Sequence, residues 1–161
     1  TGLVDSNPLG RKLLDGSSFA GNLGDVWESD DIRWELQPSV TSNPYKQKID
    51  MILISVAPVY APTHLGFRLE GTMTGGPAGD VIQSIDLFNR TTNTWELIDV
   101  RAIDNVELTI DVNASGDLTR FINQINGEVR ARVSFISPSF AGTPYTWTVG
   151  LDEAVWRYGT F

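Results

Sequence analysis

The sequence predicts an all-β protein: a jelly-roll-like, two-sheet β-sandwich with about nine strands and one short helical turn, spanning residues 1–161 as a single domain. Three observations predict it. Apolar residues recur at every second position through most of the chain. Turn signals rich in Gly, Asn and Asp interrupt these runs at intervals of roughly 8 to 12 residues. No stretch carries apolar residues at the spacing of a long helix. A chain of 161 residues buries roughly 70% of its unfolded surface, enough for a core without metal or disulfide cross-links.

In chain order, "GNLGDVWESDDIRWELQPS" (21–39) gives one or two short strands. Its Ile32, Trp34 and Leu36 share a face, which places Trp34 in the core. "KIDMILISVA" (48–57) has apolar residues on both faces, Ile49, Met51 and Leu53 against Ile52, Ile54 and Val56, and reads as a central strand covered twice. "HLGFRLEGTM" (64–73) turns Leu65, Phe67 and Leu69 inward, and "DVIQSIDLFN" (80–89) follows after the glycine-rich turn at 75–80. "NRTTN" (89–93) is a turn. It leads to "WELIDVRA" (95–102), then "NVELTIDVNA" (105–114) and "GEVRARVSFIS" (127–137), the last with Val129, Ala131, Val133 and Phe135 on one face and Arg130, Arg132 and Ser134 on the other. "DLTRFINQI" (117–125) is the one helical turn, with Asp117 as its N-cap. The chain closes on "YTWTVGLDEAVWRY" (145–158), a long strand broken near Gly150, with Trp147 and Trp156 in the core.

Five Trp residues invite the question of which face solvent. Trp27 keeps polar company (Asp25, Ser29) and is the better candidate for an exposed ring. Trp95 aligns with Leu97 and Asp99, opposite Glu96, Ile98 and Val100, and either face could be the inner one. An exposed indole suits a sugar, because the axial C–H groups of a pyranose stack on an aromatic face. The alternative is that Trp95 covers the end of its hairpin and Trp27 a sheet edge. Candidate hydrogen-bonding partners for a glycan are Arg33, Arg101, Asn89 and Gln83.

The net charge is −8, from 20 acidic and 12 basic residues. That field argues against nucleic acid and anionic membrane surfaces as partners, and no apolar run reaches the ~18 residues needed to insert in a bilayer. With no cysteine, thiolate catalysis, zinc–thiolate sites and disulfides are excluded. Starting at Thr1 without Met, the chain reads as a processed protein or an excised segment.

Catalytic signals are weak. Glu28 and Asp30 have the every-second spacing of paired strand carboxylates in β-sandwich glycosidases, but the pattern stops there. His64, the sole histidine, reads as a solvated residue at a strand start, and no phosphate loop or nucleophile motif is present. No cofactor is expected. A structural calcium is considered at three oxygen-rich clusters, 29–31, 111–117 and 151–153, with Asp111, Asn113 and Asp117 as the leading ligands, although that run lacks the glutamate that ends an EF-hand loop.

Residues 80–158 carry a further set of motifs: Ile85-x-Leu87-Phe88-Asn89, a Thr-rich turn leading to Trp95 and Asp99-x-Arg101, Gly116-Asp117-x-x-Arg120-Phe121-Ile122, Gly127-Glu128-Val129-Arg130-Ala131-Arg132, and Asp152-x-Ala154-x-Trp156. This half of the chain resembles a β-sandwich module that recurs in large exported bacterial proteins, some of them polysaccharide-processing. The resemblance implies a sandwich fold and an extracellular or cell-surface location, and it brings no catalytic residues. It points to structural parts for Asp117 with Arg120 as a cap, for Trp156 as an anchor, and for Arg130 and Arg132 as partners of a cross-strand carboxylate such as Asp99.

Three functional readings remain. The first is a non-catalytic accessory module that binds a glycan or cell-surface polymer. The second is a structural or assembly domain, such as a spacer or a shell subunit, with no small ligand. The third is a polysaccharide-active enzyme using Glu28 and Asp30.

Overall fold

The computed structural model describes residues 3–40, 47–75, 79–137 and 147–159. In chain order the strands are β1 (Leu3–Ser6), β2 (Gly10–Asp15), β3 (Ser17–Ala20), β4 (Trp34–Gln37), β5 (Ser39–Val40), β6 (Gln47–Val56), β7 (His64–Thr74), β8 (Val81–Asn89), β9 (Thr94–Ile103), β10 (Leu108–Asn113), β11 (Glu128–Ile136) and β12 (Thr148–Gly159). They form two six-stranded antiparallel sheets. The first runs β10–β7–β12–β4–β3, with β1 paired to the end of β12. The second runs β2–β6–β11–β8–β9, with β5 paired to the start of β6. The chain changes sheet after β1, β2, β4, β6, β7, β9, β10 and β11, which is the traffic of a jelly-roll-like sandwich. The expected all-β, two-sheet class is the one observed, with twelve described strands in place of about nine and a 3-10 turn at Leu23–Val26 besides the one expected.

Period-two patterning explains why these segments are strands. Successive side chains point to opposite faces, so one apolar set per strand can be buried between two sheets. Leu65, Phe67 and Leu69 of β7, Ile49, Met51 and Leu53 of β6, and Val129, Ala131, Val133 and Phe135 of β11 all enter one core cluster, with Trp34, Trp147 and Trp156 fully buried among them. Phe67 meets Trp156 edge-to-face at 5.1 Å. Each such side chain contributes about 1.5–3 kcal/mol on leaving water. β6 departs from expectation. It is central, yet among the described residues only its inner face is covered by a sheet. Ile52 and Ile54 face outward and are half-buried, with Arg132 and Lys12 as the cross-strand neighbours of Ile52. Long basic side chains thus supply cover from their methylene stems.

Two irregularities decide which side chains face where. In β12 the register with β7 shifts between Leu151 and Glu153. The extra residue, Asp152, reverses the alternation, so Val149 and Leu151 before it and Ala154, Trp156 and Tyr158 after it all point inward. The break lies at Asp152, not at Gly150, and the strand is otherwise continuous. In β9 the same thing happens at Ile98: Asp99 pairs with inward-facing Ile85, while Leu97 pairs with outward-facing Asp86. Trp95 and Leu97 before the bulge and Val100 and Ala102 after it therefore share the outer face. Neither simple alternation of 95–102 describes this strand.

The helical turn expected over 117–125 is a single 3-10 turn, Leu118–Phe121, capped by the Asp117 side chain accepting from the Thr119 amide. The rest of that span forms a tight turn, in which Asn123 accepts from the amides of Ile125 and Asn126. Gly127 closes it at φ +77°, where a Cβ would lie 2.8 Å from the Tyr60 ring, so no other residue fits without displacement.

Candidate functional site

The outer face of the second sheet carries the most distinctive surface chemistry among the described residues. At the β8–β9 edge Phe88 and Trp95 are cross-strand partners, and their rings meet edge-to-face at 5.2 Å with 64° between planes. Such a contact holds the Trp95 ring in place beyond what burial alone would do. Continuing along the edge, Leu97 and Val100 are 57% and 54% exposed, a short apolar strip with no described element over it. The guanidinium groups of Arg90 and Arg130 each stand 5.7 Å from the centre of the Phe88 ring, close enough for a cation–π contribution.

Behind the aromatic pair lies a row of charges. Glu128 Oε1 accepts from Arg90 Nη2 and from Arg130 Nε, both at 2.8 Å. Those bonds hold the Glu128 carboxyl below its ordinary range against the opposing effect of burial. The Arg90 Nε has no partner and is buried. One strand further in, Asp50 is 1% exposed and accepts two hydrogen bonds from Arg132, with Lys48 Nζ at 3.1 Å. Burial opposes ionisation of Asp50, but hydrogen bonds from Arg132 and Lys48 prevail and its carboxyl is held below the usual range. Asp86 goes the other way: burial pushes its carboxyl up, and Arg132 offsets this only in part.

Arg90 also links this face to an open cleft of about 420 Å³, lined by Arg90, Thr91, Thr119, Asn123, Gln124 and Ile125. The cleft lies between the β8–β9 turn, the Leu118–Phe121 turn and the 123–127 turn. Ile125 at its lip is 91% exposed. Aromatic platform, guanidinium pair and cleft are therefore continuous through one residue.

The structure does not bring the sequence candidates together. Trp95 is on the outer face, half-buried. Trp27 is 42% exposed and donates its Nε1–H to the Pro8 carbonyl at 2.8 Å. Pro8 leads into β2, the opposite edge of the second sheet from β9, so the two indoles stand about four strand spacings, ~19 Å, apart. Gln83 and Asn89 are 5% and 9% exposed and point inward, which removes them from a surface site. Asn89 builds the β8–β9 turn instead, its Oδ1 accepting from the amides of Thr91 and Thr92 while Asn93 takes φ +57°. Arg101 pairs with Asp99 on the inner side of the bulge, so Asp99 is not the partner of Arg130 or Arg132. Arg33 immediately precedes β4 of the first sheet. Sequence reasoning missed Phe88, the cross-strand partner of Trp95, and Arg90 and Arg130 at its ring; pairing 85–89 with 94–99 across the "NRTTN" turn would have found Phe88, while Arg130 comes from β11 on the other side of β8.

The expected calcium ligands do not converge either. Asp111 and Asn113 lie in β10, a strand paired along its length with β7, not in a loop. Asp111 binds Arg157 at 3.2 Å, and Asp117 is committed to the amide and hydroxyl of Thr119. The other two clusters do meet. Asp31 and Asp152, with Glu107, bring carboxylate oxygens within 4.8 Å of one another. Asp152, fully buried, accepts from the amides of Asp30 and Asp31. Arg33 reaches into this group, bonded to Glu107 and 3.9 Å from Asp31, so a cation is already built into the cluster. Next to it Glu70, 6% exposed, accepts from the Ser29 hydroxyl, and burial raises its carboxyl above the ordinary range. Glu28 and Asp30 sit in the bends before β4, both exposed, and not on a strand, so the shared cleft face that a glycosidase pair needs is missing.

No family model matches the sequence, and no curated protein does. Among solved structures, the chain is similar to a mutant family 29 carbohydrate-binding module complexed with cellulohexaose, at 9% identity and a TM-score of 0.42, covering 91% of this chain and 94% of that one. A second mutant of that module, complexed with mannohexaose, gives 10% identity and a TM-score of 0.40, covering 93% of this chain and 92% of that one. The enzymatically active domain of tailspike protein 4 from bacteriophage CBA120 gives 11% identity and a TM-score of 0.46, covering 97% of this chain but 19% of that one. Residues 80–158 contribute strands to both sheets, as their motif resemblance implied, with Asp117 capping a turn and Trp156 buried.

Proposed function

We propose that this protein is a non-catalytic module that holds a glycan on the outer face of the second sheet, as an accessory part of an exported or cell-surface protein. The observation that carries the proposal is the fixed, solvent-facing Phe88–Trp95 pair, flanked by guanidinium groups and continuing through Arg90 into an open cleft of mixed polar and apolar lining. A pyranose presents axial C–H groups to the indole and hydroxyls to its rim. Stacking of this kind needs a ring already held in place, so that little side-chain entropy is lost on binding. The shallow, uncovered sheet suits a chain of sugars better than a small compact molecule, which needs an enclosing pocket.

The test is affinity electrophoresis through gels containing soluble polysaccharides. Trp95→Ala is expected to weaken retention at least tenfold while leaving circular dichroism and thermal midpoint nearly unchanged, because the residue is half-exposed. Retention unaffected by Trp95→Ala in a folded variant would remove this face from the proposal. A second reading, an assembly domain, is favoured by one observation: β9 is an edge strand with exposed Leu97 and Val100 beside Ile82. Sedimentation velocity separates the two. Glycan-independent self-association that disappears in Val100→Lys would favour assembly.

A further inference from the structure

Charge is unevenly distributed over this protein, and the distribution bears on which glycan the proposed face would take. The whole chain holds 20 acidic against 12 basic residues. Around the outer face of the second sheet the balance reverses: Lys12, Lys48, Arg90, Arg130 and Arg132 stand with Asp15, Asp50, Asp86 and Glu128. Within that face the imbalance is concentrated beside the aromatic pair. Asp50 answers Arg132 and Lys48 with Asp86 close by, so that group is balanced. Glu128 alone answers both Arg90 and Arg130, and both bonds go to the same oxygen. One positive charge is therefore left over next to Phe88 and Trp95. Among the described residues the remaining guanidinium nitrogens of Arg130 have no partner, and its side chain is 39% exposed.

From this geometry we infer that the ligand is an acidic glycan, one whose sugars carry carboxylates, with Arg130 as the residue that receives a carboxylate while Trp95 stacks the ring. The inference rests on the glycan-binding reading above and narrows it. A guanidinium presents two parallel N–H groups that match a carboxylate in plane, and such bonds are about twice as strong as those between neutral groups. Glu128 holds Arg130 through Nε, and among the described residues the two terminal nitrogens keep their donors for that fork. The cation–π contacts hold both guanidinium groups over the Phe88 ring, 5.7 Å from its centre, and Phe88 meets Trp95 edge-to-face, so the two cations stand beside the indole on which a sugar would stack.

The experiment uses the whole chain in affinity gels of polygalacturonate and alginate, the methyl-esterified form of each, and neutral hydroxyethylcellulose. Retention by at least one acidic polymer, falling fivefold or more on esterification of that same polymer, is expected. Arg130→Gln is expected to lower affinity for the acidic form about tenfold and to leave the esterified form unaffected, with Arg130→Lys intermediate because it keeps charge but loses the fork. Thermal midpoints confirm that each variant is folded. Equal retention of the acidic, esterified and neutral polymers overturns the acidic-ligand inference, an acidic preference that survives Arg130→Gln overturns the assignment of the carboxylate to Arg130, and either leaves the glycan face standing. Absence of retention by every polymer, or retention indifferent to Trp95→Ala, overturns both.

Discussion

The residue that best displays the local physics is Asp50. It lies on the outer face of a sheet yet is 1% exposed, and it remains ionised because Arg132 and Lys48 supply what water would have given. Its carboxyl is held below the ordinary value of 3.8. A carboxylate whose folded pKa is depressed contributes stability that is fully present above its unfolded value and is lost as pH falls through the folded one. Asp50→Asn is therefore expected to lower unfolding stability by about 2 kcal/mol at pH 7, the cost of losing charged hydrogen bonds. The deficit should shrink as pH drops below 3.8. Urea titrations at pH 7 and pH 3 check this, and a deficit that stays constant would show that the ion pair is not its origin. The residue scale is also where sequence reading was most uneven. Trp34 and Trp147 are assignable to the core from parity, because three apolar residues in step leave little choice, whereas Trp156 follows an irregularity and is assigned there by the size of its indole. Asn89 and Gln83 are polar and so suggest ligand contacts, and nothing in their identity reveals that a strand carries them inward.

Among the elements, two of the bulged strands, β12 and β9, shape the candidate sites most. Asp152 is the extra residue of β12, fully buried, and its carboxylate accepts from the amides of Asp30 and Asp31. It thereby fixes the segment between the Leu23–Val26 turn and β4. Replacing it with Ala leaves those amides without a buried acceptor. The expected outcome is a loss of about 2 kcal/mol with hydrogen exchange at Asp30 and Asp31 accelerated ahead of β12 itself. Exchange rising uniformly across the sheet would instead indicate a general loss of packing. The bulge at Ile98 has a different consequence: it puts Trp95, Leu97, Val100 and Ala102 on one face and so creates the apolar edge. A sequence of alternating residues cannot announce a bulge, since the extra residue is defined by its neighbour strand and not by its own chain. That is why 95–102 left the orientation of Trp95 open.

Over the whole molecule, burial sorts the five indoles into two sets. Trp34, Trp147 and Trp156 are at or below 1% exposure, while Trp27 is 42% exposed and Trp95 is half-buried. Acrylamide quenching should show a heterogeneous response in which a protected fraction coexists with an accessible one. Trp27→Phe with Trp95→Phe should remove most of the accessible fraction. Five equally protected indoles would contradict the structure and favour a spacer without a binding face. The same global view explains the acidic clusters at 29–31 and 151–153. They are distant in sequence but adjacent in space, and Arg33 and Glu107 complete the group. Their meeting point could not be read from either segment alone.

Strand periodicity, the turns, the all-β class and the identity of most core residues were set by the sequence, because alternation is a property of the extended backbone itself, about 180° per residue. Orientation of Trp95, the union of Phe88, Arg90 and Arg130 around it, and the single carboxylate shared by two guanidinium groups were decided only by tertiary structure. Each depends on which residue stands opposite across a strand pair, and that register is fixed by the whole sheet.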